Sequence, residues 1–200
     1  MDLPLSHKPH LAYAKWLWQS VVKPDDLIVD ATLGNGLDTL WILKNLLHLG
    51  VGEIHGLDIQ SLSIEQTNIN LENAQLSAII KKQFHPHLLC HSELGFLESL
   101  KAPKLIVYNF GYLPGSDKSI KTLKETSLLS LSRALNLICK GGLITLTFYP
   151  GHFEGYEEAI ELENYLKGLD ATVYQILKMS WSNRETAPYV VAIHKLRQPC

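Results

Sequence analysis

Two rhythms of apolar residues run through the chain. In one, four to eight apolar residues follow each other almost without interruption, as in a strand buried on both faces. In the other, apolar residues return every three or four positions, as on one face of a helix. His10–Val22 carries Leu11, Ala14, Leu17, Trp18 and Val21 at helical spacing and stops near Lys23–Pro24. Leu27–Ala31 reads as a first strand, Asp38–Leu47 as a helix, Glu53–Asp58 as a second strand and Ser61–Asn73 as a second such helix. Pro86–Cys90, followed by a short helix, and Lys104–Asn109 supply the third and fourth strands. Ser119–Ile138 has the period of a long amphipathic helix, ending at the stop signal Lys140-Gly141-Gly142. Leu143–Phe148 is a fifth strand and Tyr156–Lys167 a helix; Ala171–Met179 and Tyr189–His194, rich in β-branched and aromatic residues, are the last strands.

Strands alternating with helices predict an α/β protein: a seven-stranded, mostly parallel sheet with helices on both faces. No helix separates the last two strands, so they form an antiparallel pair at one edge. With 200 residues, 46% hydrophobic and 19% charged, the chain reads as one packed domain over residues 1–200, of which 1–24 form an N-terminal helical extension. A net charge of −2 argues against a protein that coats nucleic acid by bulk charge, though not against a local basic patch. Cys90, Cys139 and Cys200 form no CxxC pair, and no metal site is expected. They read as unpaired thiols of a cytoplasmic protein, with no secretion signal and no apolar run near the roughly 20 residues of a membrane helix.

In sheets of this kind ligands bind beyond the C-terminal strand ends, so those segments hold the candidate chemistry. Strand 1 leads into Asp30-Ala31-Thr32-Leu33-Gly34-Asn35-Gly36-Leu37-Asp38-Thr39. Gly34 and Gly36 permit a tight turn and a close backbone approach to a ligand. Asp38 or Thr39 stands where a dinucleotide fingerprint needs its third glycine, which disfavours a pyrophosphate, while the acid Asp30 suits a cationic ligand. Strand 2 ends at Asp58, followed by Gln60; Asp58 could accept the hydroxyls of a ribose or could cap the next helix. His91-Ser92-Glu93, after strand 3, lies where a nucleoside base would sit, or Ser92 simply caps a helix.

The richest segment follows strand 4: Asn109-Phe110-Gly111-Tyr112-Leu113-Pro114-Gly115-Ser116-Asp117-Lys118. An Asn at a strand end with a Tyr close behind is similar to the Asn-Pro-Pro-Tyr motif of amino-methyltransferases. A carboxamide oxygen can accept the N–H bonds of a neutral amine and aim its lone pair without adding charge, and an aromatic ring can stack on an exposed base. The plain alternative has Asn109 capping a turn and Tyr112 packing on the surface. His152, on the Gly-rich loop after strand 5, could contact substrate or move a proton, or be a filler. Lys118, Lys121 and Lys124 recur every three residues and could meet phosphates or form a solvated face.

Taken together, DATLGNGLDT, GLDIQ, HSE, NFGYLPGSDKSIKT, KGGLITLTFYPGHFEG and the late Asn183 resemble the tRNA 5-aminomethyl-2-thiouridine methyltransferases, a family also labelled as rRNA methylases. The resemblance runs from about Asp26 to Lys195. It implies a Rossmann-like class I methyltransferase fold, S-adenosylmethionine as methyl donor with S-adenosylhomocysteine as product, and methylation of the aminomethyl nitrogen at the wobble uridine. The neutral amine would displace the methyl group in line. The proton it must first lose would go to solvent or to His152 or Asp117. The resemblance places the donor on Asp30, Thr32, Gly34, Asn35, Gly36, Asp38, Thr39, Asp58, Gln60, His91, Ser92 and Glu93. It makes Asn109, Tyr112 and His152 the catalytic set, and Gly111, Pro114, Gly115, Lys118, Lys121 and Asn183 further substrate contacts. A tRNA anticodon stem-loop is the implied partner, with a second subunit able to widen the contact. The chain departs from the family pattern at Leu37, Ser116 and Asn183-Arg184-Glu185-Thr186-Ala187-Pro188. Two other readings share these residues: an amino-methyltransferase of rRNA or another RNA base, and a small-molecule N-methyltransferase. A non-catalytic nucleotide-binding module on the same fold is a third.

Overall fold

The computed structural model describes residues 8–76, 82–111, 122–151 and 153–197. Its strands are β1 (Leu27–Asp30), β2 (Glu53–Asp58), β3 (Phe84–Leu88), β4 (Leu105–Phe110), β5 (Leu143–Phe148), β6 (Tyr174–Met179) and β7 (Tyr189–Lys195). Its α-helices are α1 (Pro9–Val21), α2 (Leu37–Ile42), α3 (Ser61–Asn73), α4 (Lys124–Leu137) and α5 (Phe153–Lys167). The strands form one sheet in the order β3-β2-β1-β4-β5-β7-β6. β1 to β5 are parallel; β7 runs against both β5 and the edge strand β6.

The central strands LIVD and LITLTF are buried at every position, as expected for strands covered on both faces. Alternate residues divide the core. On one face Val29, Ile106, Tyr108 and Leu146 pack with Leu131, Ala134 and Leu135 of α4 and Ala159 and Leu162 of α5. On the other, Ile28, Ile54, Leu105 and Val107 pack with Ala14 and Trp18 of α1 and Ile42 of α2. The N-terminal helix is therefore part of the core, and Trp18 Nε1 donates to Thr145 Oγ1 of β5 at 3.0 Å. At the far end of the sheet the buried Lys195 donates through Nζ to the carbonyls of Leu135, Asn136 and Ile138, satisfying the C-terminal end of α4.

Most predicted elements hold, with shifted ends: α5 begins at Phe153 and not Tyr156, and β6 at Tyr174 and not Ala171. Three further differences have identifiable reasons. β3 begins two residues before the expected Pro86 and ends at Leu88, with Pro86 inside it. A proline is tolerated there because β3 is an edge strand with one side unpaired. α4 begins at Lys124, after Leu123 with extended backbone (φ −121°, ψ 136°); the expected start at Ser119 lies outside the described residues. The expected helix over Asp38–Leu47 loosens into a π-turn at Leu43–Leu47, where Asn45 Nδ2 donates to the Trp41 carbonyl at 2.7 Å.

Candidate active site

β1 and β4 are neighbours, yet the chain turns to opposite sides of the sheet after them, which opens a crevice beyond their C-terminal ends. A cleft of about 1050 Å³ occupies this position. A second hollow of about 640 Å³, between α1 and β6–β7, is lined mainly by apolar groups such as Leu17, Val21, Leu143 and Ile176 and lacks the carboxylates of the cleft.

The β1 side of the cleft is built around three acids. Asp30, 1% exposed, accepts from Thr39 Oγ1 at 2.8 Å and from the Thr32 N–H at 3.4 Å. Burial, and then the Asp38 carboxylate, push its carboxyl up to about 7. Asp58 accepts the Gly34 N–H on one oxygen and the Gln60 N–H on the other, both at 2.9 Å. Each oxygen keeps a second lone pair for a ligand hydroxyl. α3 has no side-chain cap at its N-terminus, so Asp58 braces the turn rather than capping the helix. Gly34 and Gly36 both have positive φ, 53° and 67°. A Cβ on Gly36 would come within 2.4 Å of Thr67 on α3, so the turn closes onto that helix only with glycine there.

Asp38 joins the two sides. Its Oδ2 accepts from Asn109 Nδ2 at 3.0 Å, and Lys15 Nζ lies 3.9 Å from Oδ1. Burial raises the Asp38 carboxyl, opposed by the Asn109 bond and by Lys15. The Asn109 N–H donates to Thr32 Oγ1 at 2.6 Å. Both the backbone and the side chain of Asn109 are thus fixed from the β1 turn.

The structure places Thr32, Gly34, Asn35, Asp38, Asp58, Gln60, His91, Asn109 and Gly111 in the cleft wall. Asp30, Gly36 and Thr39 stand behind it, holding the turn. Ser92 and Glu93 are outside the wall; Ser92 is buried and hydrogen-bonds Cys90, not a helix end. Asn183 is exposed on the β6–β7 connection, from which Thr186 and Pro188 line the cleft instead. Tyr112, Pro114, Gly115, Asp117, Lys118, Lys121 and His152 lie outside the described residues.

Sequence reasoning missed Tyr149, Thr122 and Glu158. Tyr149 lines the cleft just past β5, its phenol pushed up to about 12 by burial and Asp38. Glu158, buried on α5, accepts from Thr122 Oγ1 at 2.7 Å and Ser127 Oγ at 2.6 Å. Thr122 in turn receives the Gly111 N–H at 2.9 Å and donates its own N–H to the Gly111 carbonyl at 2.9 Å. The chain that leaves the cleft at Gly111 therefore returns to it at Thr122. Ser127 Oγ also lies 3.3 Å from His91 Nε2. Burial lowers His91 to about 4, so its neutral ring can donate to that hydroxyl. A usable signal existed: Glu158 shares a helix row with Leu162 and Leu166, a lone acid on an apolar face.

Five parallel strands closed by an antiparallel pair, in the order β3-β2-β1-β4-β5-β7-β6 with a cleft beyond β1 and β4, are the class I methyltransferase fold. Residues 54–195 match the family model described as "Putative rRNA methylase", and the chain belongs to that family. It is 37% identical over 183 residues to "tRNA (mnm(5)s(2)U34)-methyltransferase, chloroplastic" of Arabidopsis thaliana, covering 90% of this chain and 66% of that protein's length. Among solved structures, a "putative rRNA-methylase" from Clostridium thermocellum superposes with a TM-score of 0.85 at 30% identity, covering 96% of this chain and all of the other. A "putative methyltransferase" from Streptococcus mutans, solved in complex with SAH, has the same fold at a TM-score of 0.81 and 23% identity, over 94% of this chain and 98% of that one.

Proposed function

We propose that this protein is an S-adenosylmethionine-dependent tRNA methyltransferase that methylates the exocyclic aminomethyl nitrogen of 5-aminomethyl-2-thiouridine at the wobble position. The observation that carries this reading is Asn109. Its amide nitrogen is engaged by Asp38, so Oδ1 is the atom left to accept N–H bonds from a substrate amine. Its backbone bond to Thr32 sets it against the acid-lined half of the cleft.

The residues present fit the methyl donor. Asp30, Asp38 and Asp58 surround the Gly34–Gly36 turn with carboxylates, an environment suited to a sulfonium and an ammonium group and unsuited to a pyrophosphate. Asp58 would hold the ribose hydroxyls, with Gln60 beside it, while His91 and Leu57 flank the base. When bound, S-adenosylmethionine supplies a methyl group on a positively charged sulfur. The protein's contribution is orientation: Asp38 and Thr32 fix Asn109, and Asn109 aims the amine. The partner is a tRNA anticodon stem-loop, met by Lys8 in the cleft wall; Lys118 and Lys121, which lie outside the described residues, are further phosphate contacts implied by the family resemblance, and a second subunit would widen the contact. The name carried by the Arabidopsis relative supports the tRNA substrate.

Incubation with labelled methyl donor and tRNA bearing the aminomethyl group should transfer label to the wobble nucleoside. Asn109→Ala should lower turnover by about 100-fold, the scale of a misplaced reacting group. Label appearing in rRNA and not in tRNA, or unchanged turnover in the variant, would overturn the assignment.

A further inference from the structure

Three imidazoles and a carboxylate meet on β2 and β3, on the opposite face of the sheet from Asp30. The parallel register sets His55 opposite His85 and Leu57 opposite His87. Residues two apart on a strand share a face, so Glu53 and His55 of β2 join His85 and His87 of β3 on one side. His55 stacks on both other rings, with centroids 4.9 Å from His85 and 5.2 Å from His87. Phe96 covers them, 4.5 Å from His87 and 5.7 Å from His55. The cluster lies about 10 Å along β2 from the cleft residue Asp58.

Its hydrogen bonding is incomplete in a specific way. His55 is 6% exposed, and its Nδ1 lies 2.9 Å from His87 Nε2. Nε2 of His55 and Nε2 of His85 are both buried without a hydrogen-bond partner among the described residues. They stand 3.7 and 3.8 Å from the two Glu53 oxygens. Those separations are too long for hydrogen bonds but near the spacing of ligands around one ion, since bonds of about 2.1 Å in a tetrahedron separate donors by about 3.4 Å. One donor atom each from Glu53, His55 and His85 lies within 4.8 Å of the others.

We propose that Glu53, His55 and His85 form a zinc site that clasps the β2–β3 edge. Two imidazole nitrogens and a carboxylate oxygen are a ligand set for a borderline divalent ion, with zinc the redox-inert member. His87 is the positioning residue. When His55 donates Nδ1–H to His87 Nε2, its own Nε2 is left as a bare lone pair, the tautomer a metal needs. Half-exposed Glu53 leaves the fourth coordination position open to water. The site is separate from the cleft and needs no assumption about methyl transfer.

The test uses the full chain, stripped with chelator and titrated with zinc chloride. One equivalent should bind and raise Tm. His85→Asn and Glu53→Gln should each weaken binding at least about 10-fold, and His87→Phe by 10- to 100-fold, without changing Tm in chelator. Should His85→Asn not fold, the exposed Glu53→Gln carries the test. Cobalt in place of zinc should give ligand-field bands without a thiolate charge-transfer band. No stoichiometric uptake, wild-type affinity in both His85→Asn and Glu53→Gln, or a thiolate band would overturn the proposal.

Discussion

Asp30 and His55 stand on neighbouring strands, one residue out of register and on opposite faces of the sheet, and burial acts on them in opposite directions. It raises the Asp30 carboxyl to about 7 and lowers the His55 imidazole to about 4. Both groups are driven towards neutrality, because a low-dielectric interior disfavours whichever form is charged. Their surroundings then differ. Asp30 is held by Thr39 and Thr32, and nearby Asp58 by two backbone N–H groups, so the cleft acids are braced before any ligand arrives. Among the described residues, the imidazole nitrogens facing Glu53 have no such bracing. One region presents acids already held by hydrogen bonds; the other presents buried imidazole nitrogens that lack a hydrogen-bond partner among the described residues.

The largest effect on the braced side is expected from Asp58→Ala. It removes the acceptor for the Gly34 and Gln60 N–H groups and for the ribose, and should weaken S-adenosylmethionine binding by about 100-fold in calorimetry. Affinity within a factor of two of wild type would show that the acids on β1 and β2 do not act as one receptor.

The contrast in titration should show in stability against pH. Asp30 has a folded value above its ordinary 3.8, so its contribution is full below about 4 and is lost as pH rises through about 7. His55 and His91 have folded values near 4, below the ordinary 6.5. Their contribution is full above about 6.5 and is lost as pH falls towards 4. The urea midpoint of the ligand-free, metal-free protein should therefore carry opposing slopes between pH 4 and 7. Asp30→Asn should remove the loss on the rising-pH side. A cationic ligand reverses that loss, so S-adenosylmethionine affinity should increase up to about tenfold across pH 7 in the wild type and stay flat in Asp30→Asn. Superimposable pH profiles for the two proteins would contradict this account.

A smaller effect is expected from Ser127→Ala, which removes one of the bonds to Glu158 and the contact with His91. A loss of about 1 kcal/mol in urea unfolding, with methyl-donor affinity preserved, would place this network in the scaffold. A larger loss of affinity than of stability would tie His91 to the cofactor side.

Much of the fold was legible because its central strands are short, mostly apolar runs and its helices are periodic. β2, α3 and β5 fall where the pattern put them. Pro86 obscured the start of β3, since a proline argues against a strand until the strand is known to lie at an edge. The braced acids were legible because Asp30 and Asp58 each end a strand, and a strand end is visible in one dimension. Asp38 as the partner of Asn109 was not, because the contact spans 71 positions. The imidazole cluster was hidden for a related reason. Glu53-x-His55 and His85-x-His87 are each ordinary alternations, and only the β2–β3 register makes them one group.

The reciprocal bonding of Gly111 and Thr122, anchored by Glu158, has a practical consequence. Both ends of the intervening ten residues, 112–121, are fastened by atoms outside that segment. The entropy of closing a loop grows only slowly with its length, so the fastening tolerates inserts of different size. Grafting the corresponding stretch of a relative between Gly111 and Thr122 should transplant its target preference while the donor-binding half goes on working unchanged.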